Sequence, residues 1–243
     1  MIVNNNVVKN HFEKPIYFNS SGFNIEVRSA IVKEILRDKS VNAKILDIGC
    51  GDGSLSISFL NVCESLTLLD FSSNMIERAT NNVPKEHIEK VTPVNCSIDE
   101  FTMELKFDVI LCVGVLAHVP SIDNVISKIT KILNKGGVVI FELTPKKSIF
   151  EIILWPYYYY RKVKTGNPKG YELNKISIDD LIRLCRRNEL NVAKHIRHSY
   201  PLPTQRNWPL KWQRSWTYHT WKSRFFSNIG LEHIIMFTSS NGK

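Results

Sequence analysis

The chemistry open to this sequence is concentrated in a glycine loop, the carboxylates around it and one histidine further along. Residues 45–55 read Ile-Leu-Asp-Ile-Gly-Cys-Gly-Asp-Gly-Ser-Leu. A short apolar strand carrying Asp47 runs into glycines at 49, 51 and 53. Glycine turns a backbone this tightly and lets it come close to a ligand. The apolar run 55–60 predicts a helix over 54–61. The loop then joins a strand's C-terminal end to a helix start, where open α/β sheets bind nucleotide-like ligands.

The residue types in the loop restrict the ligand. The spacing is G-x-G-x-G, and Ser54 stands where the dinucleotide fingerprint needs its last glycine. Asp47 and Asp52 place negative charge in the turn, which opposes a pyrophosphate. The ligand to expect is cationic and hydroxyl-bearing. S-adenosylmethionine, with an ammonium, a sulfonium and a ribose but no phosphate, fits. Asp70 ends the next predicted strand, 66–70, and lies 19 residues after Gly51, where a carboxylate can accept from both ribose hydroxyls. Phe71 and Met75 flank the adenine ring or belong to the core between helix and sheet. Ser72 or Ser73 is the N-cap of a helix over 73–82.

These groups need a scaffold of alternating strands and helices. Residues 25–39 read as an amphipathic helix with Ile25, Ile31, Ile35 and Leu36 on one face. Strands follow at 44–48, 66–70, 91–95, 107–113 and 137–143, and helices at 54–61, 73–82 and 121–134. Lys135-Gly136-Gly137 marks a helix stop. Such alternation implies a parallel sheet covered on both faces, with the apolar run 107–113 central. Beyond Pro145, Ser177-Ile-Asp-Asp has the form of a capping box and opens a helix over 178–188. Strands follow at 190–199 and 230–238, and 201–229 reads as a Pro/Trp/Arg-rich insertion.

At 243 residues and 43% hydrophobic content the chain fits one decorated globular domain. Its expected parts are an N-terminal cap segment (1–40), a cofactor-binding core (41–145) and a substrate-side cap with the last strands (146–243). The polar start predicts no signal peptide, and no apolar run reaches the ~18 residues of a membrane span. Cysteines 50, 63, 96, 112 and 185 lack C-x-x-C spacing, which predicts free thiols in a reducing, cytoplasmic setting and no metal site. The net charge of +9 is uneven: residues 155–230 hold 15 Lys/Arg against 4 Asp/Glu, all five tryptophans and seven of the eight tyrosines.

Five blocks, ILDIGCGDGSL (45–55), LTLLDFSSNMIERA (66–79), VNCSIDEF (94–101), FDVILCVGVLAHVP (107–120) and KILNKGGVVIFEL (131–143), resemble the class I S-adenosylmethionine-dependent methyltransferases in order and spacing. The resemblance implies a Rossmann-like, doubly wound, mostly parallel seven-stranded sheet with an antiparallel last strand, plus a basic aromatic cap. It implies that Gly49, Cys50 and Gly51 approach the cofactor's methionine part and ribose. It gives Asp47 the role of ordering the loop or reaching the ammonium, and Asp70 that of holding the ribose. Ser97 and Ile98 match the positions at the adenine edge; the family often has Asp where Ser97 stands. Val113 and Gly114 match those beside the methyl group. His118, in Leu-Ala-His-Val-Pro, is the titratable group best placed to take an acceptor's proton, or else a structural feature of its loop. His195, His198, His219 and His233 read as ordinary surface or strand histidines.

The basic aromatic third suits an anionic or glycosylated small-molecule acceptor, a lipid-linked acceptor met at the inner face of an anionic membrane, or a nucleic acid. The segment Val-Gly-Val-Leu-Ala-His-Val (113–119) has neither the Asn/Asp-Pro-Pro-Tyr of DNA amino-methylating enzymes nor a Pro-Cys nucleophile. DNA is therefore disfavoured and RNA stays open. The expected reaction is O-methylation of a small molecule or of a lipid-linked or glycosylated acceptor. The alternatives are RNA methylation and a non-catalytic cofactor-binding module.

Overall fold

The side chains of the central strands alternate between two buried layers, and this alternation organises the molecule. In the computed structural model, which describes residues 22–102, 104–143, 160, 173–199, 208–223, 230 and 232–240, the strands are β1 (Lys44–Ile48), β2 (Ser65–Asp70), β3 (Val91–Asn95), β4 (Phe107–Cys112), β5 (Leu133–Leu143), β6 (Leu190–His198) and β7 (Glu232–Ser239). They form one sheet in the order β3-β2-β1-β4-β5-β7-β6. β1 to β5 are parallel, and β7 runs antiparallel between β5 and β6. The Rossmann-like, doubly wound sheet implied by the sequence is the sheet observed.

Leu46, Ile48, Ile110, Cys112, Val139 and Phe141 face one layer, closed by helices α3 (Ile122–Ile132) and α4 (Ile178–Arg187). Ile45, Val109, Leu111, Val138 and Ile140 face the other, closed by α1 (Gly22–Leu36) and α2 (Ser73–Asn82). The α3 stripe Val125, Ile126, Ile129 and Ile132 is buried; each side chain removed from water contributes about 1.5–3 kcal/mol. Ser121 caps α3 by accepting from Asn124 N at 3.2 Å. Ser177 caps α4 by accepting from Asp180 N at 3.1 Å, while its hydroxyl donates to Asp180 Oδ2 at 2.5 Å, so the expected N-cap is formed with a side-chain bond in place of the box's return bond to the backbone.

The structure corrects three local expectations. Residues 54–61 form turns with a short 3₁₀ helix, Ile57–Phe59, not a full helix. Ser58 Oγ donates to Leu55 O at 2.8 Å and Phe59 N bonds Ser56 O at 2.9 Å, so serine side chains and i→i+3 bonds compete with the α pattern. β5 begins at Leu133 and takes in Lys135-Gly136-Gly137, with Gly136 at φ 72° and a register shift opposite Phe107–Val109. The stop is thus a bulge at a strand's edge. Within the expected insertion 201–229 lies a helix, α5 (Leu210–Lys222). It contains neither Pro nor Gly, and its Trp216 packs on the α1 layer. The Tyr157–Tyr159 tract and most of 144–172 lie outside the described residues.

Candidate active site

β1 lies between β2 and β4, whose connections leave it toward opposite faces, so a crevice opens above its C-terminal end. A cavity of about 380 Å³ fills that crevice, and Asp47, Gly49, Cys50, Gly51, Asp70, Phe71, Met75, Ser97, Ile98, Val113, Gly114 and His118 all line it. The site residues expected from the sequence are therefore brought together.

The glycine loop is pinned to the tip of β2. Gly49 N and Cys50 N donate to Leu69 O at 2.7 and 3.1 Å, and Gly51 N donates to Asp70 Oδ2 at 3.0 Å. Gly49 and Gly51 have φ of 67° and 56°, in the left-handed region that favours glycine. A Cβ at Gly49 would stand 2.5 Å from Val115 Cγ2, whereas one at Gly51 would meet nothing within 4 Å and would project into open space. Gly51 thus leaves open space beside the backbone. Asp52 turns its carboxylate onto Ser54 N at 3.1 Å and so stiffens the loop. Burial pushes the Cys50 thiol up, which leaves it no thiolate to react.

The two strand-tip acids have different surroundings. Asp70 takes Gly51 N on Oδ2 and Ser72 N, at 2.9 Å, on Oδ1. Each oxygen keeps a further lone pair. Burial raises its pKa, and the N–H donors of Ser72, Gly51 and Phe71 pull it back. Asp47 is 3% exposed, and its Oδ2 has no hydrogen-bond partner among the described residues. Burial pushes its carboxyl up to about 7. A buried carboxylate with an orphaned oxygen fits a cation that is itself a hydrogen-bond donor. With the gap at Gly51 and the acid at Asp70, the loop fits the ammonium and ribose of S-adenosylmethionine. Asp70→Ala should weaken binding of that cofactor by about 1–3 kcal/mol, the scale of charge-assisted hydrogen bonds. Calorimetric titration of S-adenosylhomocysteine measures it, and an unchanged affinity would place the ribose elsewhere.

In the loop after β3, where the resemblance puts the adenine edge, Ser97 N and Oγ are occupied by Glu100 Oε2 at 3.1 and 2.9 Å. Ile98 is buried and, with Asp99, lines the cavity. Asp99, two positions beyond Ser97, brings a carboxylate that sequence reasoning passed over. Met75 is 3% exposed, so it is buried, and it also lines the cavity. His118 sits in the loop after β4, where His118 N bonds Val115 O at 2.8 Å. Asn174 N fastens this loop by donating to Ala117 O at 2.9 Å, and Asn174 Nδ2 also donates to Val119 O.

A second polar group, not expected from the sequence, is formed by Arg28 of α1, Glu142 of β5, His198 of β6 and Glu232 of β7. Arg28 Nε donates to Glu142 Oε1 at 2.5 Å, and Arg28 Nη2 lies 3.7 Å from Glu232 Oε1. Burial alone would raise Glu142, but Arg28 and His198 hold it below the usual carboxylate range. His198 is 1% exposed, not the ordinary strand histidine expected. His195 and His233 pair at 2.8 Å across β6 and β7, and His219 is on exposed α5 surface. One signal for Glu142 was available. Like Asp47 in Lys-Ile-Leu-Asp-Ile, it is a carboxylate one residue from the end of an apolar parallel strand.

A sheet in this order, with ligand-cradling glycines after β1 and an acid at the tip of β2, defines the class I methyltransferase fold. Residues 39–153 match the family model described as a methyltransferase domain. Over that stretch, a little under half of its length, the chain is similar to methyltransferase domains. Among curated proteins it is 31% identical over 155 residues to the ubiquinone biosynthesis O-methyltransferase of Pelagibacter ubique, covering 63% of each chain. It is 31% identical over 137 residues to the protein of that name from Proteus mirabilis, covering 54% of each. The chain thus spans a little over half the length of these relatives. Among solved structures, magnesium protoporphyrin IX methyltransferase from Synechocystis with bound S-adenosylhomocysteine aligns with a TM-score of 0.61, 17% identity and coverage of 98% and 100%. The N-methyltransferase NodS from Bradyrhizobium japonicum, in complex with S-adenosylhomocysteine, aligns at 0.64, 14% identity and 97% of each chain.

Proposed function

We propose that this chain transfers a methyl group from S-adenosylmethionine to an oxygen of a small organic acceptor, with His118 receiving the acceptor's proton. When bound, the cofactor supplies a methyl group on a positively charged sulfur, a good leaving group. The protein's tasks are then to align the acceptor and remove a proton. The observation that carries the reading is that His118, Val113 and Gly114 line the same cavity as Asp47 and Asp70. The O-methyltransferase names of the relatives favour oxygen over nitrogen. Asp47 meets the ammonium, Asp70 the ribose hydroxyls, and Ile98 with Asp99 the adenine edge.

A lipid-linked acceptor is the second reading. Trp212 and Tyr218 of α5 are 59% and 53% exposed beside exposed Lys211, the residue mixture of an interfacial surface. Among the described residues no helix is long and apolar enough to cross a membrane.

The test is transfer of labelled methyl from S-adenosylmethionine to soluble phenols, to lipid extracts with and without anionic vesicles, and to total RNA. Label on a phenol or lipid that resists acid but yields to ether cleavage is the expected product. Label on RNA alone, or on nothing while the cofactor binds, would overturn the reading.

A further inference from the structure

We propose that Glu142, His198 and Glu232 form a binding site for one first-row divalent cation, Mn²⁺ or Zn²⁺, on the acceptor side of the cavity. One ligand atom from each of the three lies within 4.8 Å of the other two. His198 Nε2 stands 3.4 Å from Glu142 Oε1. Two ligands held about 2.1 Å from a common metal at tetrahedral or octahedral angles are about 3.0–3.5 Å apart.

Two further observations point to a missing ligand. Glu142 Oε2 and His198 Nε2 are both buried without a hydrogen-bond partner among the described residues, on side chains 3% and 1% exposed. A buried imidazole nitrogen whose approach to Glu142 Oε1, at 3.4 Å, falls short of a hydrogen bond, beside a carboxylate oxygen with no partner among the described residues, is costly unless something binds them. The opposite ring nitrogen, Nδ1, lies 3.0 Å from Ser199 Oγ, which also donates to Glu232 Oε2 at 2.7 Å. That hydroxyl fixes the ring so that Nε2 faces Glu142, the outer-shell support that metal-binding histidines have.

Arg28 is the cation now resting on these carboxylates. Its side chain is 24% exposed, so it can leave toward solvent when a divalent ion takes its place. Two carboxylates neutralise a divalent ion, whereas one guanidinium leaves a negative charge over. An imidazole donor selects Mn²⁺ or Zn²⁺ over Mg²⁺. Glu142 and Glu232 both line the cavity, so the remaining coordination positions open onto it. Resting on the O-methylation reading, the acceptor oxygen is the ligand that enters there.

The test is titration of EDTA-treated protein with MnCl₂, ZnCl₂ and MgCl₂ by calorimetry, with electron paramagnetic resonance for Mn²⁺. Every sample is also titrated with S-adenosylhomocysteine, which reports whether the fold and cofactor site survive. One Mn²⁺ or Zn²⁺ per chain is expected, bound at least tenfold more weakly in Glu232→Gln and His198→Gln and more tightly in Arg28→Gln. Glu232 is the more exposed ligand, so Glu232→Gln decides the matter if His198→Gln does not fold. No saturable binding by wild type and Arg28→Gln, or undiminished binding by Glu232→Gln, would overturn the site and reduce the cluster to an ion-pair network. Stoichiometric binding without methyl transfer to any oxygen would keep the metal site and remove the acceptor from it.

Discussion

Asp47→Asn should make the free protein more stable and its cofactor binding much weaker. The carboxyl sits at about 7 in the folded chain because burial disfavours its charge, against 3.8 in an unfolded one. Between those values the folded state keeps a proton that the unfolded state has released, so stability falls as pH rises through the window. Below about 3.8 both states are protonated and there is no effect; above about 7 the penalty is complete, on the order of 4 kcal/mol. Asparagine carries no charge to bury. Recovery of even half of that penalty, about 2 kcal/mol, raises Tm by roughly 4–8 °C at pH 8. The same substitution removes the partner proposed for the cofactor's ammonium, a buried charged pair worth about 2–4 kcal/mol or roughly 30- to 1000-fold in Kd. Wild-type affinity should also weaken about tenfold per pH unit below 7, and the asparagine variant should be flat there. Scanning calorimetry and titration at several pH values test both halves. A Tm that falls, or a wild-type Kd independent of pH between 5.5 and 7, would remove Asp47 from the ammonium.

That opposition between stability and binding explains why part of the site could be read from the sequence. A carboxylate in an apolar strand, followed by glycines at alternate positions, is an expensive arrangement without a ligand, and the expense is visible in residue types alone. The same logic applied to Asp70 after Leu-Thr-Leu-Leu. Periodicity gave β1 to β4, α2 and α4 nearly to the residue because their apolar positions repeat cleanly. It failed at 54–61, where four apolar residues suggested a helix but Ser58 Oγ donates to Leu55 O and the backbone closes a turn from Phe59 N to Ser56 O. It failed at α5, whose aromatic and basic residues, with few aliphatic ones, give no clear apolar stripe. Glu142, His198 and Glu232 stayed hidden for another reason. They are separated by long stretches of chain, and only the insertion of β7 between β5 and β6 pairs His198 with Glu232 and sets Glu142 opposite Ile234. Local spacing carries no record of that insertion, so a metal-ligand search by motif passes over it.

His118→Gln should lower kcat by roughly 10²-fold or more while leaving the cofactor Kd within about twofold. General-base assistance contributes about 10²–10⁴, and glutamine keeps hydrogen-bonding capacity without the ability to take a proton. Two backbone bonds of the loop survive the substitution. His118 N bonds Val115 O, and Asn174 holds Ala117 O from the other side, both through backbone groups that the substitution leaves in place. A structural histidine would show the reverse pattern, with a lower Tm, a weaker cofactor Kd and turnover reduced only in proportion. The acceptor distinguishes the cases further. An acidic phenol needs less help to lose its proton than an alcohol, so the loss in the variant should shrink as the acceptor's pKa falls. A loss equal for acidic and weakly acidic acceptors would mean that His118 positions the acceptor and does not deprotonate it. If the divalent site at Glu142 also binds the acceptor oxygen, the two devices act on the same proton. Metal-loaded enzyme should then depend on His118 less than metal-free enzyme does, because a coordinated oxygen is already the stronger acid.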